Sequence, residues 1–166
     1  MNDPDAGKRA ARPRRATVLA VGAISTAAAL GAAWWHWRAP SAADGADPAV
    51  IAQGREVYAR YCASCHGERL EGQPHWQTRR ADGRMPAPPH DATGHTWHHP
   101  SGVLFTIVKN GVQAYAPPGY QSDMPAFYGV LTDAQIRAVL AYIASNWPEA
   151  IRARQAEIER ASRQRQ

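Results

Sequence analysis

The sequence predicts an all-α protein, a helical domain of ~100 residues set behind one membrane-spanning helix. Three observations predict it. A single twenty-residue apolar run, residues 16–35, stands near the N-terminus. Apolar residues recur at helical spacing in several later segments, and no segment alternates as a half-buried strand does. Two cysteines in 166 residues exclude a disulfide-built scaffold, and thirteen Pro with thirteen Gly exclude a long coiled coil.

Residues 1–15 carry Lys8, Arg9, Arg12, Arg14 and Arg15 against Asp3 and Asp5, and read as a cytoplasmic basic segment. The run that follows is polar only at Thr17, Ser25 and Thr26. As a helix rising ~1.5 Å per residue it spans about 30 Å, the thickness of a bilayer core. Trp34, Trp35 and Trp37 stand at its far end, where amphipathic rings favour the interface, and Arg38 alone follows closely. The positive-inside rule keeps residues 1–15 in the cytoplasm and places the rest outside. Residues 16–37 are therefore read as a transmembrane anchor, an uncleaved signal. A cleaved signal is less consistent: its apolar core would be shorter, and Trp-Trp-His-Trp fills the exit here. Residues 39–46 offer only a weak cleavage site, and Arg14-Arg15 matches a twin-arginine signal superficially. Residues 38–48, rich in Ala, Asp, Gly, Pro and Ser, read as a flexible linker.

Residues 49–147 form the predicted domain. Val50, Ile51, Val57, Tyr58 and Tyr61 mark its first helix. Residues 103–109 give a short amphipathic helix closed by Asn110-Gly111. Thr132 is an N-cap with Gln135 as its capping-box partner. Ile136, Val139, Leu140 and Ile143 then form an apolar stripe, and Pro148 stops that helix. Residues 148–166 read as a polar helical tail: Ile151 and Ile158 make only a thin stripe, so a solvated helix is expected. The net charge of +5 belongs to the ends, with +4 in residues 1–38, +2 in residues 148–166 and −1 between them. A nearly neutral domain excludes a nucleic-acid-binding face.

The chemistry concentrates in Cys62-Ala63-Ser64-Cys65-His66. A Cys-x-x-Cys-His string attaches c-type haem: the thiols form thioethers with its vinyl groups, and the adjacent His binds iron. One helical turn lets both sulfurs and the imidazole address the same porphyrin face. A thioredoxin-like redox pair would need a βαβ setting, and a structural zinc site would need further thiols; neither is present. Gly67 lets the chain turn away afterwards. For the sixth iron ligand there are three Met, of which Met1 falls on the cytoplasmic side. Met124 sits in the turn-forming string Ser122-Asp123-Met124-Pro125-Ala126-Phe127, while Met85 lies only nineteen residues after His66. Either would serve equally as a core filler. Met124 is preferred, because a longer intervening chain reaches the opposite porphyrin face more easily, and either Met is preferred to a His.

Residues 50–147 resemble a class I, mitochondrial-type cytochrome c domain, close to a bacterial membrane-anchored monohaem group. The matching pieces are Gly54 and Tyr58 ahead of the Cys-x-x-Cys-His string and Gly67, then Pro86-Ala87-Pro88-Pro89. After these come residues 104–111, Met124-Pro125-Ala126-Phe127, and Leu131-Thr132-Asp133-Ala134-Gln135 entering the helix that bears Tyr142-Ile143. The resemblance implies a cytochrome c fold, three to five helices around one covalently bound haem c. It implies axial ligation by His66 and Met124. It further implies a close helix crossing at Gly54 beside Tyr58 and Tyr142, and a proline carbonyl, of Pro88 or Pro89, receiving the His66 ring N–H.

The string Gly94-His95-Thr96-Trp97-His98-His99-Pro100, preceded by His90, departs from the simplest members. Its imidazoles suit copper or zinc, or they line the haem pocket with Trp97 or a His donating to a propionate. The pocket reading is preferred, since only Asp91 and no thiolate accompanies them and His98 and His99 diverge on any regular element. Arg79, Arg80 and Arg84 are further propionate candidates or simply a solvated loop. A six-coordinate haem suits outer-sphere electron transfer, so the expected protein is an electron carrier, not an enzyme, with no catalytic residues and no small-molecule substrate. The resemblance implies redox-protein partners or membrane oxidoreductase complexes: a quinol–cytochrome c oxidoreductase, a terminal oxidase or a periplasmic dehydrogenase. The expected place is the bacterial inner membrane, crossed once, with the haem domain facing the periplasm. Other readings are a dehydrogenase's cytochrome subunit, a copper-handling or sensing module built on the His-rich loop, and peroxidase-like activity with Met124 displaced.

Overall fold

A computed structural model describes residues 47–165; the basic segment, the apolar span of residues 16–37 and most of the linker lie outside the described residues. Helix α1 is Pro48–Tyr61 and α2 is the single turn Ala63–His66. A 3₁₀ turn, Thr96–His98, leads into α3, Ser101–Asn110, and a second, Val112–Ala114, follows it. Helix α4 is Asp133–Ser145 and α5 is Glu149–Arg163. Among the described residues there is no strand, and no helix is long and apolar enough to cross a membrane.

Local chemistry explains the boundaries. Asp47 accepts from the Ala49 N–H at 2.9 Å and Pro48 opens α1, so the last two linker residues already belong to the helix start. Helix α4 shows both halves of its capping box: Gln135 N–H donates to Thr132 Oγ1 at 3.2 Å, and Thr132 N–H donates to Gln135 Oε1 at 2.9 Å. Helix α3 begins at Ser101, two residues before its apolar pattern does.

The core lies where α1 crosses α4. Gly54 makes that crossing possible, because a methyl group there would overlap the Ala138 carbonyl. Val57 and Tyr58 from α1 meet Ile136, Val139 and Ile143 from α4, and Leu70, Phe127, Leu131 and Trp147 close the cluster from the connecting chain. The Tyr58 and Tyr142 rings lie 5.5 Å apart, and the Tyr58 hydroxyl donates to the Gly67 carbonyl at 2.8 Å. Helix α3 differs: Val103, Leu104, Phe105, Ile107 and Val108 are all only half-buried.

The tail corrects one expectation. Helix α5 is not a solvated rod, because Gln155 is 8% exposed and Ile151 packs against the core. Gln155 Nε2 donates to Ser101 Oγ at 3.3 Å, and Glu159 accepts the Ser101 backbone N–H at the first turn of α3. The face running through Ile151, Gln155 and Glu159 matches a half-polar surface, the start of α3, so its apolar stripe is thin.

Candidate haem-attachment site

Cys62 ends α1 and opens α2, and that single turn is closed by Cys65 N–H and His66 N–H donating to the Cys62 carbonyl at 3.1 and 2.9 Å. Cys62 is half-buried, Cys65 is exposed and His66 is 7% exposed. Burial, with Cys65 beside it, pushes the Cys62 thiol up to about 11. Gly67 follows at φ +83°, where a side chain would be strained.

His66 Nδ1 lies 2.8 Å from the Pro88 carbonyl. Of the two prolines left open by the sequence, Pro88 makes this contact; Pro89 is buried in the turn behind it, its carbonyl close against Gly94. A carbonyl can only accept, so Nδ1 carries the proton and Nε2 keeps its lone pair. Burial lowers the His66 pKa and the bond to Pro88 opposes that, the net shift being downward. The ring is therefore neutral at pH 7, the form that binds a metal. Pro88 is itself held: Gln73 N–H donates to the Ala87 carbonyl at 2.9 Å, and Ala87 N–H donates to Gln73 Oε1 at 3.1 Å.

His90 is the residue whose place sequence reasoning missed. Its ring stacks on His66 with centroids 4.0 Å apart and planes 24° apart. Thr96 Oγ1 lies 2.8 Å from its Nδ1, and its carbonyl accepts the Trp147 indole N–H at 2.8 Å. Burial above all, then His66 and His95, hold its pKa well below the ordinary imidazole value. Only its position two residues after the proline that holds His66 hinted at this.

The other imidazoles disperse. His95 stacks on Trp76 at 5.4 Å and meets His99 edge-on at 5.7 Å, while His98 stacks on Trp97 at 3.6 Å. Among the described residues no group of three or more His, Cys, Asp or Glu is arranged to hold a metal ion. The four rings His90, His95, His98 and His99 thus do not converge on one point: His90 stacks on His66, His95 on Trp76 and His98 on Trp97.

Met124 is half-buried and packs against the core cluster, its N–H donating to Ser122 Oγ at 3.1 Å. Met85 is half-buried too, but lies outside that cluster. Arg80 and Arg84 both pair with Asp123, so neither is merely a solvated loop residue. Two donors, Trp97 Nε1 and Arg84 Nε, are buried without a protein partner among the described residues.

A haem c fits this donor set: two thiols and a neutral imidazole on one turn, a half-buried thioether, an apolar α3 flank, and the orphaned Trp97 indole N–H suited to a carboxylate. The fold and site thus define a c-type haem protein. Residues 51–147 match the cytochrome c family profile, and the chain belongs to the cytochrome c family. It is accordingly an electron-transfer haem protein that binds haem c covalently, with Cys62 and Cys65 in the attachment arrangement and redox proteins as partners. No solved structure matches the chain.

Proposed function

We propose that this chain is a monohaem cytochrome c held to the bacterial inner membrane by residues 16–37, carrying single electrons on the periplasmic side between respiratory or dehydrogenase partners. The observation that carries the reading is the 2.8 Å contact of His66 Nδ1 with the Pro88 carbonyl inside a Cys-x-x-Cys-His turn. The haem, when bound, supplies a ferric–ferrous couple. Cys62 and Cys65 would hold it covalently, and His66 would offer its Nε2 lone pair to the iron. Met124 would supply the second protein ligand, a thioether that favours the ferrous state and so raises the potential. Trp97 Nε1 would donate to a propionate, and Pro88 and Pro89 would shape the wall behind His66. With His66 and Met124 both held by the protein, the couple would cycle with little rearrangement of the chain. The basic residues before the apolar span support the membrane orientation.

Optical spectra of the detergent-solubilised protein and its Met124→Ala variant test the ligand set. The ferric wild type shows the long-wavelength band of a Met–haem bond, and the variant lacks it. A band absent from the wild type, or surviving in Met124→Ala, overturns the assignment.

A further inference from the structure

One stretch of chain, residues 79–88, touches both His66 and Asp123, the residue before Met124. Its end supplies the Pro88 carbonyl that meets His66 Nδ1 at 2.8 Å. Its start is a tight turn in which Arg80 N–H donates to the Arg84 carbonyl and Gly83 N–H to the Arg80 carbonyl, each at 2.9 Å. Arg84 N–H donates to Asp82 Oδ1 at 2.9 Å, and the Arg79 guanidinium donates to the Gly83 carbonyl at 2.7 Å. From this turn Arg80 donates to Asp123 Oδ2 at 2.6 Å, and Arg84 meets Asp123 Oδ1 at 3.1 Å. Each carboxylate oxygen thus takes its own guanidinium, and the carboxylate belongs to the residue before Met124. Arg79 also lies over the Tyr120 ring at 5.4 Å, further up the same loop.

We propose that Asp123 is a positioning residue for the sixth iron ligand: held by Arg80 and Arg84, it ties the Met124 loop to the same segment that orients His66. The proposal rests on the reading of Met124 as that ligand. The loop needs such a tie on its upstream side. Downstream it is fixed to α3, with Phe127 N–H donating to the Val108 carbonyl at 3.1 Å and Tyr128 N–H to the Lys109 carbonyl at 2.8 Å. Upstream, residues 116–122 are largely exposed, and Gln113 Nε2 reaches the Tyr120 carbonyl only at 3.4 Å. A neutral thioether is a weak ligand, so its occupancy depends on how far the loop equilibrium favours the closed arrangement. Half-exposed ion pairs shift such an equilibrium modestly, and two sharing one carboxylate shift it by about five- to tenfold.

Azide binding to the ferric holoprotein reads this directly, since azide takes the position that Met124 vacates. In Asp123→Asn, and in Arg80→Gln/Arg84→Gln, azide binds about five- to tenfold tighter than in the wild type, while the long-wavelength band persists without azide. Asp123→Glu restores most of the wild-type value, which a purely structural loss would not do. Combining all three substitutions gives no further gain, because both sides of one interaction are already gone. Unchanged azide affinity in both Asp123→Asn and the arginine variant overturns the proposal, as does simple additivity in the combination. Should Asp123→Asn fail to hold haem, the arginine variant decides by the same criterion. Met124→Ala is the reference: if it binds azide no tighter than the wild type, the ligand reading itself falls and takes the tether with it. Tight azide binding in Met124→Ala beside wild-type affinity in the Asp123 and arginine variants removes the tether alone.

Discussion

Gly54 shows how much rests on one missing methyl group. The α1–α4 crossing brings the Ala138 carbonyl and Tyr142 Cβ to where a Cβ would stand. Gly54→Ala must therefore push the helices apart, and overpacking of this kind costs about 1–3 kcal/mol. Gly102 is the contrast: it lies inside α3 with nothing near its would-be Cβ, so Gly102→Ala is neutral or stabilising by about 0.5–1 kcal/mol. Denaturant unfolding of the two variants checks the pair, and similar midpoints would sink the argument. The same scale shows what the sequence could disclose. Cys62, Cys65 and His66 were legible because one helical turn sets their spacing whatever the tertiary context. The stacking of His90 on His66 was not, since it joins chain positions twenty-four apart through packing that no local pattern encodes. Likewise, only the folded turn could separate Pro88 from Pro89.

At the level of elements, α1, α3 and α4 were legible because each carries an apolar stripe at helical spacing, and α4 carries its capping box as well. The docking of α5 was hidden because the middle of its buried face is Gln155, and its complement is the polar start of α3. Glu159 makes that docking sensitive to acid. Partial burial alone would raise its pKa, but hydrogen bonds from Ser101 and Gln155, with Arg163 nearby, outweigh this and hold it below the ordinary value of 4.5. A depressed carboxyl contributes stability that is present above its unfolded pKa and is lost as pH falls through the folded value. The wild type therefore loses stability on acidification below about pH 4.5 more steeply than Glu159→Gln does. At neutral pH the variant is weaker by a few tenths to about 1 kcal/mol, since the pair is partly exposed. Thermal midpoints followed from neutral pH into that acid range test this, and parallel curves for the two proteins would exclude a role for Glu159.

For the whole molecule, charge and length bear on where the proposed anchor would hold the haem domain. The central region is nearly neutral, so its location is not set by long-range attraction of the domain to a polyanion; the positive charge sits ahead of the apolar span and in α5. If residues 16–37 hold the chain at a bilayer as proposed, a linker of about ten residues, spanning roughly 20 Å on average, would confine the domain there and raise its effective concentration towards membrane complexes. Such confinement requires that the span be retained. Its length and its tryptophan exit favour retention, and fractionation of cells making the full chain measures it. Haem stain stays with the membranes after an alkaline wash, and the mature N-terminus is that of the basic segment. Replacing residues 1–46 with a cleaved secretion signal then moves the haem to the soluble periplasmic fraction with unchanged spectra, because every residue assigned to the site lies among the described residues. Haem protein found soluble, with its N-terminus beyond residue 38, would make the span a cleaved signal and the protein a diffusing carrier, whose encounters with partners depend on its concentration alone.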